Sequence, residues 1–342
     1  MTPGSAPIAT AGKRIVLAYS GGLETSIAIP WLVERHDAEV IAVTIDLGQG
    51  KEVLEEIRDR ALATGALRAH VVDVRDTFAR DYIVRALKAG LLGDRTPVAV
   101  SLAHPLVAQT VIEIANIEQV TTVAHGDPAG RASSLDRTIR AIDPTMTVLA
   151  PAGEWAMSES AQIDFARQRH VTLPVSFSGL GHRASAPRMA GALPGEAAYV
   201  DIAIERGVPV GVNGVRMPLL DLIGSLGIIA GAHGVGSLPA LQAAHDALEQ
   251  AAVATPGEFS SPSIAELYLR VLRDGAWFTA ARQALDANAD AIQQHVSGSI
   301  RLELFKGVCA VGNAEVSSPP AARAIALARA NDERRTMNHE RQ

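Results

Sequence analysis

The sequence holds a single cysteine, Cys309, in 342 residues. No intrachain disulfide can form, and a thiolate-ligated metal cluster is excluded. That usage fits a reducing, cytoplasmic setting. The sequence also lacks a basic block. Its 31 lysines and arginines stand against 37 acids, a net charge of −6, which removes the electrostatic reason to expect nucleic acid or an anionic membrane as partner. No apolar run is long enough to span a bilayer. The opening residues, MTPGSAPIATAGKR, lack the apolar core of a signal peptide and read as a flexible leader. What is present is an ordinary globular balance, 48% hydrophobic and 20% charged, in a chain long enough for two domains and a large buried core.

Residues 14–150 alternate short β-branched runs with amphipathic stretches. Strands are expected at Arg14–Ala18, Glu39–Thr44, Ala69–Val72, Gln119–Ala124 and Thr145–Leu149. Helices are expected at Thr25–Glu34, Glu52–Thr64, Thr77–Ala89, Ala103–Ile117 and Ser158–Arg169, with Pro30 kinking the first or ending it early. Alternation of this kind predicts an α/β domain with a doubly wound parallel sheet and its ligand at the carboxyl ends of the strands. Ser178–Gly195 is rich in Gly, Ala, Ser and Pro without a period and reads as a linker or mobile loop. Beyond it, hairpins are expected around Glu205-Arg206-Gly207 and Lys306-Gly307. Leu219–Ala230, Pro239–Ala252 and Ser263–His295 read as helical. The organisation is therefore an α/β domain over 13–170, a linker or mobile loop over 171–197, an α+β domain over 198–318 and a C-terminal helix over 319–342.

The stretch AYSGGLETS, Ala18–Ser26, falls at the first strand-to-helix turn. Glycines there let the backbone approach an anion, and successive N–H groups with the following helix N-terminus favour phosphate. Thr25 and Ser26 add hydroxyl donors. The spacing matches neither the G-x-x-x-x-G-K-[ST] loop nor G-x-G-x-x-G. Glu24 serves a cation in one reading and a helix-start carboxylate on the favourable end of the dipole in the other. His125, Asp127 and His233 have no ligand spacing, so the residues point to no metal site. His104 reads as packing near Pro105 at a helix start, and His182 and Arg183 as solvated.

AYSGGLETS resembles the PP-loop of ATP pyrophosphatases, and in the form S-G-G-L-D-T-S it resembles argininosuccinate synthase. VIAVTIDLGQG (Val40–Gly50), SLAHPLVAQTVIEIA (Ser101–Ala115), AHG (Ala124–Gly126), LAPAGEW (Leu149–Trp155), VDIAIERGVPVGVNG (Val200–Gly214), IAGAHGVG (Ile229–Gly236), DGAWFTAARQAL (Asp274–Leu285) and VSGSIRLELFKG (Val296–Gly307) extend the likeness along nearly the whole chain. The resemblance implies a PP-loop or HUP-like fold and an ATP-dependent carbon–nitrogen ligase of arginine biosynthesis. Such an enzyme adenylates the ureido oxygen of citrulline, releases pyrophosphate, and lets the aspartate amine displace AMP. It implies ATP and Mg2+, a small amino-acid-like substrate and a homotetramer embraced by the C-terminal helix. It places Ala18, Tyr19, Ser20, Gly21, Gly22, Leu23, Glu24, Thr25, Ser26, Ile45, His125 and Gly126 around ATP, and Thr96, Ser101 and Ser133 at the second substrate.

The chain leaves the family's pattern where the amino acids bind. Y-P-L-x-T-S-L-A-R-P becomes Thr96–Pro105, with Thr96 and His104 in place of tyrosine and arginine. C-T-G-K-G-N-D-Q-V-R becomes Asp127–Asp136, with Pro128, Ala132 and Ser133 where threonine, asparagine and aspartate recognise substrate, and Asp136 where arginine stands. The segment S-I-D-x-N-L-W-G-R is missing, and so is the Glu- and Tyr-bearing stretch after Gly236. The expectation is a ligase with altered substrates. The alternative is a non-catalytic relative that binds nucleotide or a partner, and pyrophosphate release from ATP separates the two.

Overall fold

The computed structural model describes residues 13–93, 97–173, 193–253 and 261–317; for 97–100, 131 and 261–263 it describes the backbone alone. The leader through Gly12, Thr96, the stretch 174–192 with His182 and Arg183, and the expected helix 319–342 lie outside the described residues. The described residues pack as two compact units. One runs to Val74 and resumes from His104 to Gly181; the other takes Arg75–Ala103 and the chain from His182.

The first unit is built on five parallel strands, β1 Lys13–Ala18, β2 Ala38–Asp46, β3 Arg68–Asp73, β4 Thr122–His125 and β5 Thr147–Leu149, in the order β3-β2-β1-β4-β5. Its helices are α1 Leu23–His36, α2 Lys51–Ala63, α6 Ser134–Ile142, α7 Pro151–Glu154, α8 Glu159–Gln168 and most of α5 Pro97–Ile117. The two-residue period of β1 sorts the core: Ile15 and Leu17 pack with Ala28, Ile29, Leu32, Ile57 and Ala61 of α1 and α2. Val16 faces the other way, onto Ala108, Val111 and Ile112 of α5 and Ile139 of α6. Both faces of the sheet are covered, as the near-continuous apolar run of β2 requires. At the amino edge, buried Glu118 accepts from Arg68 at 2.6 Å and lies 3.2 Å from His70 Nε2. Burial pushes its carboxyl up, but those two partners hold it below the ordinary range.

Several boundaries differ from the sequence expectation. Helix α1 runs unbroken through Pro30 to His36, so the early end is corrected. Burial of Ile27, Ile29 and Leu32 outweighs the one backbone bond that proline removes. Helix α5 begins at Pro97 rather than Ala103, which puts His104 inside the helix and not at its start. The expected helix Thr77–Ala89 is α3 Arg75–Phe78, a π turn Ala79–Ile83 and α4 Val84–Lys88.

That composite helix belongs by packing to the second unit. There Tyr82 stacks on Trp277 with ring centres 5.1 Å apart, Arg85 pairs with Asp286, and the Leu92 N–H donates to Gln242 at 2.9 Å. The unit's sheet has the order β10-β9-β6-β7-β8, formed by β6 Ala198–Glu205, β7 Val208–Val212, β8 Val215–Arg216, β9 Gly298–Phe305 and β10 Val308–Val316. Both expected hairpins are present. Arg206 (φ 49°) with Gly207 (φ 73°) and Lys306 (φ 46°) with Gly307 (φ 83°) form their left-handed corners, as two-residue hairpin turns demand. Helices α9 Leu219–Ala232 and α10 Ser237–Ala252 follow the first hairpin. The expected helix Ser263–His295 is two helices, α11 Ser261–Arg273 and α12 Ala280–Gln293, parted at Gly275 with φ 69°. Among the described residues no single helix is long and apolar enough to cross a membrane.

Candidate nucleotide site and the polar network beside it

The strand order reverses between β1 and β4, the switch point at which open α/β sheets bind ligands. The parallel register sets Ala18 beside His125, so the chain leaves both strands at the same level of the carboxyl edge. AYSGGLETS therefore lies next to His125-Gly126. A side chain at position 126 would put its Cβ 2.6 Å from Thr25 Cγ2 and 3.2 Å from the Thr25 nitrogen. Only glycine lets the two loops meet. Gly21 has φ 75°, and a Cβ there would lie 2.8 Å from Ile57 Cγ1, so the left-handed turn and α2 both require glycine.

The loop divides into a supporting layer and an accessible one. Tyr19, Leu23, Thr25 and Ser26 are buried. The Tyr19 hydroxyl meets Ser26 Oγ at 3.1 Å, and Leu23 packs with Ile27, Ala166 and Val171. Burial pushes the Tyr19 phenol up, with the Ser26 hydrogen bond and the Arg60 charge opposing it. Thr25 Oγ1 ties the loop together, accepting from the Ser20 N–H at 3.4 Å and donating to the Gly22 carbonyl at 3.3 Å. Ala18, Ser20, Gly22 and Glu24 keep exposed surface. Helix α1 begins at Gly22 with no side-chain cap, so its first-turn N–H groups lack the oxygen that a Ser or Asp at that position would supply. Ile45 is buried on β2, and its carbonyl accepts from Gln49 Nε2 at 2.8 Å. A glycine turn and an uncapped helix start fit a phosphate group. Glu24 is the loop's carboxylate, and a magnesium ion held jointly by one carboxylate and phosphate oxygens fits that donor set.

Beyond Gly126 the chain bonds to itself. The Asp127 N–H donates to His125 Nδ1 at 3.3 Å, which leaves the neutral ring's proton on Nε2. Asp127 accepts from the Ala129 N–H at 2.9 Å and from Ser133 Oγ at 2.6 Å. Ser133 in turn caps α6 by accepting from the Leu135 N–H at 3.0 Å. His104 Nδ1 and Ser134 Oγ are 2.6 Å apart. Asp136 is 1% exposed, pairs with Arg140 at 2.5 Å and lies 3.5 Å from His125 Nε2. Burial pushes both His104 and His125 down, with Asp127 opposing it at His104 and Asp136 at His125.

The structure thus gathers Ala18–Ser26, His125 and Gly126 at one place. Ser133 lies buried under α6 with its hydroxyl engaged, Ser101 stands on α5, and Thr96 is outside the described residues. Sequence reasoning missed Arg60, whose Nη1 donates to the Gly21 carbonyl at 3.0 Å, because nothing in a helical Arg-Asp-Arg run marks which arginine turns toward a loop. It also missed a cavity of about 260 Å3 lined by Pro128, Ala129, Gly130, Val148, Ala150, Gly153 and Glu154. Backbone proximity shapes it: a Cβ on Gly153 would lie 3.0 Å from Gly130 Cα.

Comparison with known proteins matches the family described as "Arginosuccinate synthase N-terminal HUP domain" over residues 14–172 and "Arginosuccinate synthase C-terminal domain" over 188–240 and 237–319. The chain belongs to the argininosuccinate synthase family. The argininosuccinate synthase of Rubrobacter xylanophilus is 34% identical, covering 86% of this chain and 84% of that one. The synthase of Bacillus thuringiensis is 33% identical over 86% and 85%, and that of Oceanobacillus iheyensis 32% identical over 86% and 82%. The parallel sheet flanked by helices is the HUP architecture of that family, and membership supports an ATP-dependent ligase.

Proposed function

We propose that this protein is an ATP-dependent, AMP-forming carbon–nitrogen ligase whose substrates differ from citrulline and aspartate. The observation that carries the reading is the register of Ala18 with His125, which sets the glycine loop and the His125-Gly126 turn together at the switch point. In the proposed reaction a carbonyl or ureido oxygen attacks the α-phosphorus of ATP, the bond to pyrophosphate breaks, and an amine then displaces AMP from the activated carbon. This chain's loop supplies backbone donors for the phosphates and the uncapped start of α1 for their charge. Glu24 would hold magnesium, which supplies further neutralisation of the triphosphate.

The altered-substrate part rests on the network after Gly126. Ser133 is engaged by Asp127 and the start of α6, Asp127 also accepts from the Ala129 N–H, and Asp136 is held by Arg140. Each such bond would have to break before the group could bind substrate, at about 1 kcal/mol or more apiece. The same self-satisfaction favours a second reading, a nucleotide-binding relative without catalysis. Pyrophosphate release from ATP across a panel of ureas, carboxamides and amines tests both. Release that depends on an acceptor and an amine supports the ligase; ATP binding without release under every pair supports the second reading.

A further inference from the structure

Helix α2 approaches the loop through two side chains. Ile57 fills the space where a Cβ on Gly21 would stand, and Arg60, one turn on, donates Nη1 to the Gly21 carbonyl at 3.0 Å. Among the described residues no carboxylate pairs with Arg60, so this backbone oxygen is what its charge is directed at. A trans peptide is planar and points its carbonyl and the next N–H in opposite directions. Holding the Gly21 carbonyl against α2 therefore turns the Gly22 N–H away from α2, toward Ser20. There it meets Ser20 Oγ at 3.3 Å, a long contact that a stronger acceptor would displace. A cation on the carbonyl oxygen also polarises the peptide, which makes that N–H a better donor.

We propose that Arg60 is the positioning residue of the phosphate loop. By holding the Gly21 carbonyl it aims the Gly22 N–H, and with it the start of α1, at the phosphates of a nucleoside triphosphate. The assignment rests on the nucleotide reading of the loop given above. Arg60 acts through the Gly21–Gly22 peptide, so its removal weakens recognition of the phosphates and leaves recognition of the nucleoside alone.

The test is calorimetric titration of the full chain with ATP plus magnesium, and separately with adenosine, for the wild type, Arg60→Met and Arg60→Lys. Arg60→Met keeps an unbranched apolar stem on α2 and removes the guanidinium. It should weaken ATP about tenfold or more, the size of one charge-assisted contact, with adenosine unchanged. Arg60→Lys, which keeps a cationic donor, should recover most of the loss while the unliganded melting temperatures of all three stay together. ATP affinity in Arg60→Met within about twofold of wild type would overturn the proposal. An equal loss for ATP and adenosine would overturn it too, by making Arg60 a general structural support. A wild type that holds ATP no more tightly than adenosine would remove the phosphate-loop reading itself along with the proposal.

Discussion

At the scale of the residue, the site's chemistry turns on which groups are held and which are available. Gly21 is the clearest case, since its φ of 75° and the 2.8 Å approach to Ile57 both bar a side chain. Replacing Gly21 and Gly22 together with valine should abolish the rise in melting temperature that ATP with magnesium gives the wild type. An unchanged rise in that double variant would place the nucleotide elsewhere. His104 and His125 make a second, opposite kind of statement. Burial holds both below the ordinary histidine value of 6.5 in the folded chain, so the folded state keeps them neutral while the unfolded chain takes up protons. Their contribution is present above pH 6.5 and is lost as the pH falls below it toward their folded values. The groups facing them are Asp127, Ser134 and His125 itself at His104, and Asp136, Asp127 and Arg140 at His125. Unfolding midpoints in urea should therefore drop between pH 7.5 and 5.5, and His104→Gln should flatten that slope. An equally steep slope in the variant would assign the acid sensitivity to other groups.

At the scale of the element, the sequence and the structure agree where local chemistry decides and part where packing does. The five parallel strands, both glycine-cornered hairpins and the loop before α1 were legible because alternating β-branched runs and Xaa-Gly corners act through their neighbours in sequence. Helix α1 outlasted Pro30 because its apolar face is buried on both sides of the proline, a fact of the core and not of the segment. The transfer of Arg75–Ala103 to the second unit was likewise invisible, since Arg85 and Gln242 find their partners across long stretches of chain. For the site, the family likeness located the loop and the His125-Gly126 turn, but not the fate of Ser133. The sequence makes it a substrate residue; the geometry makes it the cap of α6 and the donor to Asp127. Ser133→Ala should then lower unfolding free energy by about 1 kcal/mol or somewhat more, read from chemical denaturation, while ATP affinity holds. Unchanged stability with lost substrate turnover would restore the sequence reading.

At the scale of the whole molecule, two expectations concern what the chain assembles into and what it makes. The tail Pro320–Gln342 carries Ala321, Ala324, Ile325 and Ala328 at helical spacing, and we propose that it joins subunits into a tetramer. Truncation at Pro319 should give smaller particles by light scattering than the full chain, and a full chain that is already monomeric would end the idea. The riskier expectation is that the protein does not make argininosuccinate at a meaningful rate. The segment after Gly126 is closed on itself through Asp127, Ser133, Asp136 and Arg140, and no substrate stretch separates Gly236 from α10, which begins at Ser237. By the family resemblance, the groups this sequence lacks are those that would orient an acceptor oxygen against the α-phosphorus and bring the amine to the activated carbon. Orientation of reactants is worth up to about 7–11 kcal/mol of a barrier, more than an intact phosphate loop can offset. Steady-state AMP and pyrophosphate formation from ATP, citrulline and aspartate, run beside a genuine synthase, decides the matter. Turnover within about tenfold of that control, ~1.4 kcal/mol in barrier, would mean that other residues had rebuilt both amino-acid sites; a far lower rate, with ATP still bound, is the outcome the polar network predicts.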